Sequence, residues 1–258
     1  MVKDNQKWAL IIGGSQGLGL ASARQLANDG FNLIIVHRDS RSQMDEIEAN
    51  FKAIKSQGNA LLTFNQNALK PDTITHIIED VCRKKKIKIK VLLHSLAKGN
   101  LKALTGDNPL TAEDYRQTIN AMGINFYEWA QAIVTAEIYG NQAQFLAFTS
   151  EGNTKVLKNY GAVSAAKAVL ESIMRQMAVE FAHLGIRCNC IQAGVTETES
   201  LKRIPDADKI LRFNQKRNPF QRLTTPEDVA KAVSLLCSEK ANWINGCVIP
   251  VDGGERLK

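Results

Sequence analysis

Residues 8–19 read WALIIGGSQGLG. The first five form an apolar run of strand length, and it passes through a glycine-rich turn directly into a helical pattern at 18–28. In such a turn Gly13 permits the tight reversal, Gly17 lets backbone approach a pyrophosphate, and Gly19 lets the helix pack closely on the strand. The helix N-terminus adds unpaired N–H donors, so Ser15, Gln16 and Leu18 complete a candidate phosphate cradle. Outward from this junction the same alternation repeats. Strand-like runs fall at 8–12, 32–36, 60–64, 87–93, 144–148, 186–191 and 247–251, and helical patterns at 18–28, 41–57, 71–84, 111–139, 160–183 and 226–238. The strands are short and apolar on both faces, as a parallel sheet covered by helices requires. With no linker or compositional break, residues 1–258 are read as a single α/β domain, a Rossmann-type doubly wound parallel sheet of about seven strands. Ligands in such sheets lie beyond the carboxyl ends of the strands, so the residues after each strand carry the functional reading.

Composition sets the outer bounds. The 258 residues are 44% apolar and 23% charged, with no apolar run near the roughly 18 residues of a membrane span. The opening MVKDNQKWALIIGG lacks the pattern of a signal peptide. Five cysteines, an odd number in a large chain, fit reduced thiols and a cytoplasmic location. Cys188 and Cys190 fall on one face of a strand and read as core, and no His or second Cys pair offers metal-ligand spacing. The net charge of +7 is concentrated at 83–90 (RKKKIKIK) and at 201–222, which carries seven basic residues against two acidic. A polyanionic partner is one consequence to weigh.

The end of the second strand offers His37, Arg38 and, further on, Arg41, where an NAD site usually presents a carboxylate to the ribose hydroxyls. A guanidinium suits an adenosine 2′-phosphate, so the expected cofactor is NADPH. Farther along, residues 159–167 read NYGAVSAAK. Tyr160 and Lys167, seven residues apart, point within about 20° of each other and stand about 10 Å apart along a helix axis. Both can reach one extended ligand. The lysine would hold ribose hydroxyls and lower the pKa of the phenol, making it a better proton or hydrogen-bond donor.

Taken together, these motifs resemble the short-chain dehydrogenase/reductase family over essentially the whole chain. The resemblance is carried by Gly13, Gly17 and Gly19, by Asn67 after the third strand, by Asn120 in the fourth helical pattern, by Tyr160 and Lys167, and by Val251-Asp252-Gly253-Gly254. The commonest branch spaces its Tyr and Lys by three residues, which would use Val163, a side chain with no proton to give. The six-residue spacing, and His94-Ser95-Leu96-Ala97 after the fourth strand, are similar to the enoyl-acyl-carrier-protein reductases. The common-type glycine turn, and Ser150 where many of those enzymes have a second tyrosine, are similar to their NADPH-dependent Bacillus-type subgroup.

The resemblance implies hydride transfer to the β-carbon of a trans-2-enoyl thioester, with Tyr160 hydrogen-bonding the developing enolate and Lys167 on the nicotinamide ribose. Ser150 would orient substrate or a water, and Asn120 would hold a helix bulge. Besides the glycine turn, the implied cofactor contacts are His37, Arg38, Asn67, Ala68, Ser95, Leu96, Ala97, Lys167, Gly194, Val195 and Thr198. Residues 195–220 would form a lid over the acyl chain, through Leu201, Ile204, Ile210, Leu211 and Phe213. Lys202, Arg203, Lys209, Arg212, Lys216 and Arg217 would steer an acidic acyl carrier protein, with the coenzyme A thioester as the alternative substrate carrier. A homotetramer is implied through the two long helices, and neither a nucleic acid nor a membrane partner is expected. Two alternatives stay open: a keto or alcohol reductase of the same family, with Ser150 and Tyr160 sharing a carbonyl, and a non-catalytic nucleotide-sensing or nucleic-acid-binding protein.

Overall fold

The computed structural model describes residues 7–202 and 207–258. Its sheet has seven parallel strands: β1 (Trp8–Ile12), β2 (Asn32–His37), β3 (Leu61–Asn65), β4 (Ile89–His94), β5 (Tyr139–Thr149), β6 (Arg187–Ala193) and β7 (Val248–Val251). Their order is β3-β2-β1-β4-β5-β6-β7. The chain moves outward from β1 to β3 and then returns to place β4 on the other side of β1. That reversal opens a crevice at the carboxyl ends of β1 and β4. Register fixes the two ends together: the Ser95 N–H donates to the Ile12 carbonyl (2.8 Å), and the Gly13 N–H to that of Val36 (2.8 Å).

Helices cover both faces because the strands alternate two apolar sets. Leu10, Ile12, Leu92 and Phe145 pack with Phe126, Trp129, Leu170 and Met174 on one side. Ala9, Ile11, Leu33 and Leu146 pack with Leu26, Ile47, Val229 and Val233 on the other. The helices are α1 (Gly17–Asn28), α2 (Met44–Lys55), α3 (Pro71–Thr75, continuing π-helically through His76–Arg83), α4 (Ala112–Ile119), α5 (Asn125–Thr135), α6 (Gly161–Glu180), α7 (Glu199–Lys202), α8 (Ala207–Arg217) and α9 (Pro226–Cys237). Among the described residues, no helix is long and apolar enough to cross a membrane.

The helical pattern read across 111–139 divides. A π-helical turn at Asn120–Ile124 joins α4 to α5, the bulge expected at Asn120. The helix ends at Thr135, and Glu137 takes a left-handed backbone (φ 53°) where glycine is the usual residue. Tyr139 already belongs to β5.

The basic run at 83–90 lies around the amino end of β4, remote from the crevice. Arg83 and Lys84 pair one turn back with Glu79 and Asp80, while Lys88 and Lys90 donate to the carbonyls of Glu137 and Asn141.

Candidate active site

The glycine turn is built by close approach. A Cβ at Gly19 would lie 2.0 Å from the Gly13 carbonyl oxygen, and one at Gly13, where φ is +88°, would lie 2.7 Å from that of Ser95 and 3.2 Å from the Leu96 side chain. Gly17 also holds a positive φ (+53°), and a Cβ there would lie 3.4 Å from the Thr198 side chain. The loop after β6 therefore reaches back to the start of α1. No side chain caps α1, so its first N–H groups remain available to an anion, and Ser15 is buried beneath them. Gly194 is equally confined: a Cβ there would meet the Thr224 hydroxyl at 2.3 Å, and its carbonyl accepts from the Thr196 hydroxyl (2.9 Å).

At the end of β2 the side chains divide their tasks. His37 is buried, packs edge-on against Phe51, and places Nδ1 2.7 Å from the Asp39 carboxylate. Arg38 and Arg41 are both exposed. A carboxylate thus stands beside the candidate 2′-phosphate position, already engaged by an imidazole. The spacing His-x-Asp at the strand end was the available sign of it.

Asn67 turns the chain after β3, its Oδ1 accepting from the Leu69 N–H (3.3 Å). The Ala68 carbonyl then accepts from Asn125 Nδ2 (3.0 Å) and Trp129 Nε1 (3.1 Å), which pins this loop to α5. Asn125 Oδ1 faces His94 Nε2 at 3.3 Å. Because that oxygen can only accept, the imidazole proton sits on Nε2. Burial, reinforced by the charge of Lys167, pushes the His94 pKa down to about 3, so the ring is neutral. Ser95 and Leu96 follow at the crevice, and Ala97 is exposed.

Tyr160 immediately precedes α6, presented by Asn159 in a left-handed conformation (φ 62°) that asparagine tolerates. Its hydroxyl donates to Ser150 Oγ at 3.4 Å. Two turns later Lys167 is 5% exposed, and its ammonium donates to the Phe148 carbonyl at 2.7 Å. Burial lowers the Lys167 pKa to about 8. Glu171, one further turn along, is held by the Thr149 hydroxyl (2.6 Å). Burial also raises the Tyr160 phenol above its ordinary value. This corrects the expected lowering: the ammonium donates to the Phe148 carbonyl, and desolvation dominates the phenol. Val163 is buried, and a Cβ on Gly99 would lie 2.5 Å from it, so this pair fills the place where a three-residue spacing would put the tyrosine.

The cations of the segment at 195–220 also divide. Arg212 and Lys216 are exposed. Arg217 is not a steering charge: its side chain is 11% exposed and forms a two-pronged ion pair with Glu151. Arg203 and Ile204, and the side chain of Lys202, lie outside the described residues.

A glycine turn at the sheet reversal leading into an uncapped helix, together with a tyrosine and a lysine two helical turns apart, fits the class of nucleotide-dependent oxidoreductases built on doubly wound sheets. Residues 13–255 match the family described as enoyl-(acyl carrier protein) reductase. The chain belongs to that family, within the short-chain dehydrogenase/reductases. It is 28% identical to an NADH enoyl-[acyl-carrier-protein] reductase 2 of Rhizobium meliloti, covering 98% of this chain and 92% of that one. It is 33% identical to the 3-oxoacyl-[acyl-carrier-protein] reductase FabG of Aggregatibacter actinomycetemcomitans, covering 95% and 97%. The solved Bacillus cereus enoyl-acyl carrier protein reductase with NADP+ and indole naphthyridinone superposes with a TM-score of 0.86 at 25% identity, covering 98% and 97%.

Proposed function

We propose that the protein is a cytoplasmic, NADPH-dependent enoyl-acyl-carrier-protein reductase of fatty acid biosynthesis, reducing the trans-2 double bond of an enoyl thioester. The observation that carries this reading is the position of the phenol: Tyr160 stands one helical turn before the place that Val163 and Gly99 fill. The residues of the crevice fit a nicotinamide dinucleotide, since the glycine turn packs its own backbone too closely for side chains and leaves the first N–H groups of α1 uncapped for a pyrophosphate. The exposed Arg38 suits a 2′-phosphate, and Asp39, engaged by His37, is less able to repel one.

When bound, the cofactor would supply hydride to the β-carbon. Tyr160 donates a hydrogen bond to the thioester oxygen, where negative charge develops as that carbon is reduced. Raised by burial, the phenol keeps its proton at neutral pH and acts as a donor. Losing one such donor costs on the order of 3 kcal/mol, a hundredfold or more in rate. Lys167, whose ammonium donates to the Phe148 carbonyl, would hold the ribose hydroxyls and keep the local field positive. Ser150 Oγ accepts the phenol proton in the structure (3.4 Å); once that single proton is given to the thioester oxygen, the serine hydroxyl would donate to the phenol oxygen instead and so fix its direction.

Residues 195–220 would cover the acyl chain, with Arg212 and Lys216 facing an acidic carrier protein. Tetramer formation would use α5, with the π-helical turn before it, and α6; Ile124 in that turn and Tyr127 in α5 are each 38% exposed.

A ketoreductase is the second reading, favoured by the Tyr160–Ser150 contact and by the 33% identical 3-oxoacyl reductase. Oxidation of NADPH and NADH should be followed with crotonyl and acetoacetyl thioesters. Faster turnover of the crotonyl thioester with NADPH is expected. Preference for the acetoacetyl thioester would replace the first reading with the second, and preference for NADH would remove the role of Arg38.

A further inference from the structure

Two side chains outside the proposed chemistry join the wall of the phenol to the far end of the chain. Ser150 and Gly152 both touch Tyr160: the serine hydroxyl accepts from the phenol, and a Cβ on Gly152 would lie 2.5 Å from ring atom Cε1. Gly152 lies in a single 3-10 turn, Glu151–Asn153, whose own bonds run from the Gly152 N–H to Ser150 Oγ (3.2 Å) and from the Thr154 and Lys155 N–H groups to the Glu151 carbonyl (3.0 and 2.8 Å). The turn's bond from the Asn153 N–H to the Ser150 carbonyl is long, at 3.4 Å. Those local bonds give the turn its shape, and an anchor outside it sets its place, and with it the place of the ring, against the rest of the molecule.

Glu151 supplies that anchor. Its side chain is 13% exposed, and its two oxygens meet the guanidinium of Arg217 at 2.9 and 2.7 Å. Arg217 closes α8 and is itself tied down, its Nε donating to the Glu255 carbonyl (2.7 Å) and to that of Lys258 (2.7 Å), and its Nη1 to Asn214 Oδ1 (3.1 Å). Lys155 adds a second cation, 3.1 Å from Glu151, and donates to the Arg256 carbonyl (3.1 Å). The Glu255 carboxylate in turn accepts from the Val195 N–H (3.1 Å), the first residue after Gly194. One chain of contacts therefore runs from the phenol through Glu151 and Arg217 to the loop that follows β6. A paired guanidinium and carboxylate specify geometry more than they add stability, since both ions lose water to meet.

We infer that Glu151 and Arg217 are positioning residues for Tyr160, holding the Ser150–Gly152 wall at the distance and angle the phenol needs. This rests on the proposed role of Tyr160. The variants are Glu151→Gln, Arg217→Lys and the double Glu151→Gln/Arg217→Gln. Both single variants are expected to lower kcat about tenfold or more, as small misplacements of a reacting group do, while the cofactor Kd changes by less than about twofold. The double variant should lose no more than the worse single one, because the pair acts as a unit. Should Glu151→Gln fail to fold, Arg217→Lys retains the charge but gives up the two parallel bonds.

A second readout needs no substrate: the ultraviolet titration of Tyr160, taken as the difference from Tyr160→Phe in the same background. In Glu151→Gln the phenol should titrate closer to its ordinary value as the wall loosens. Folded variants with kcat within twofold of the parent and an unmoved titration, even with a lower Tm, would overturn the inference. If the parent enzyme proves inactive on enoyl thioesters, the functional reading fails, and the titration still decides the positioning role.

Discussion

Binding of the dinucleotide at pH 8 should draw about half a proton from solution into each site. Lys167 is the source of the effect. Its ammonium is buried, has one carbonyl partner at 2.7 Å, and is brought from 10.5 to about 8 by loss of water. That difference corresponds to roughly 3 kcal/mol of preference for the neutral amine, at 1.36 kcal/mol per pH unit. The sign follows from proton counts. Between about 8 and 10.5 the folded, cofactor-free protein holds fewer protons on this lysine than the unfolded chain, so this group's contribution to stability rises with pH there. Below about 8 the full cost of the buried charge is present. Ribose hydroxyls on the ammonium would restore its pKa, so at pH 8 the half of the sites that are neutral must take up a proton on binding. At pH 6.5 almost none are neutral, and uptake should vanish. His94 stays neutral across this range and adds nothing. Calorimetric titration in two buffers of different ionisation enthalpy measures the uptake directly. Lys167→Met should abolish it and raise the Tm of the cofactor-free protein at pH 7, since a poorly compensated buried charge is gone. No uptake at pH 8, or proton release, would refute the assignment of Lys167 to the ribose.

Three further outcomes test the surroundings. Gly19→Ala places a methyl group 2.0 Å from the Gly13 carbonyl, so it should cost about 1–3 kcal/mol of stability and weaken dinucleotide binding, read by thermal melts and calorimetry. Unchanged affinity would mean that the cradle is not where the pyrophosphate lies. Arg38→Ala should cost NADPH roughly 1.5–3 kcal/mol in kcat/KM, about ten- to a hundredfold, and leave NADH nearly untouched. Equal losses for both cofactors would remove the 2′-phosphate contact. Reversal of charge at Arg212 and Lys216 should raise KM for carrier-bound substrate far more than for the coenzyme A thioester, and equal effects would remove the docking surface.

The doubly wound sheet was legible from residues 8–19 outward because apolar strand runs and a glycine turn are local features. Helix ends were less so. Glu137 stops α5 in a left-handed conformation that no glycine or proline announces, and the helical pattern ran on through it to Tyr139. Tyr160 and Lys167 were found by spacing on one helix, but their hydrogen-bond partners lie elsewhere: Phe148 at the end of β5 and Ser150 just beyond it. Arg217 shows the limit most clearly. In the sequence it is one of several cations in a basic segment, whereas in space its partner Glu151 lies 66 residues away, a separation across which no periodicity carries a signal.

The most direct measurement is the turnover of an enoyl thioester by Tyr160→Phe, with cofactor affinity and folding measured alongside. A fall in kcat of a hundredfold or more, with the dinucleotide still bound, is the predicted result. Undiminished turnover by a folded, cofactor-binding variant would contradict the proposal that this phenol stabilises the developing enolate.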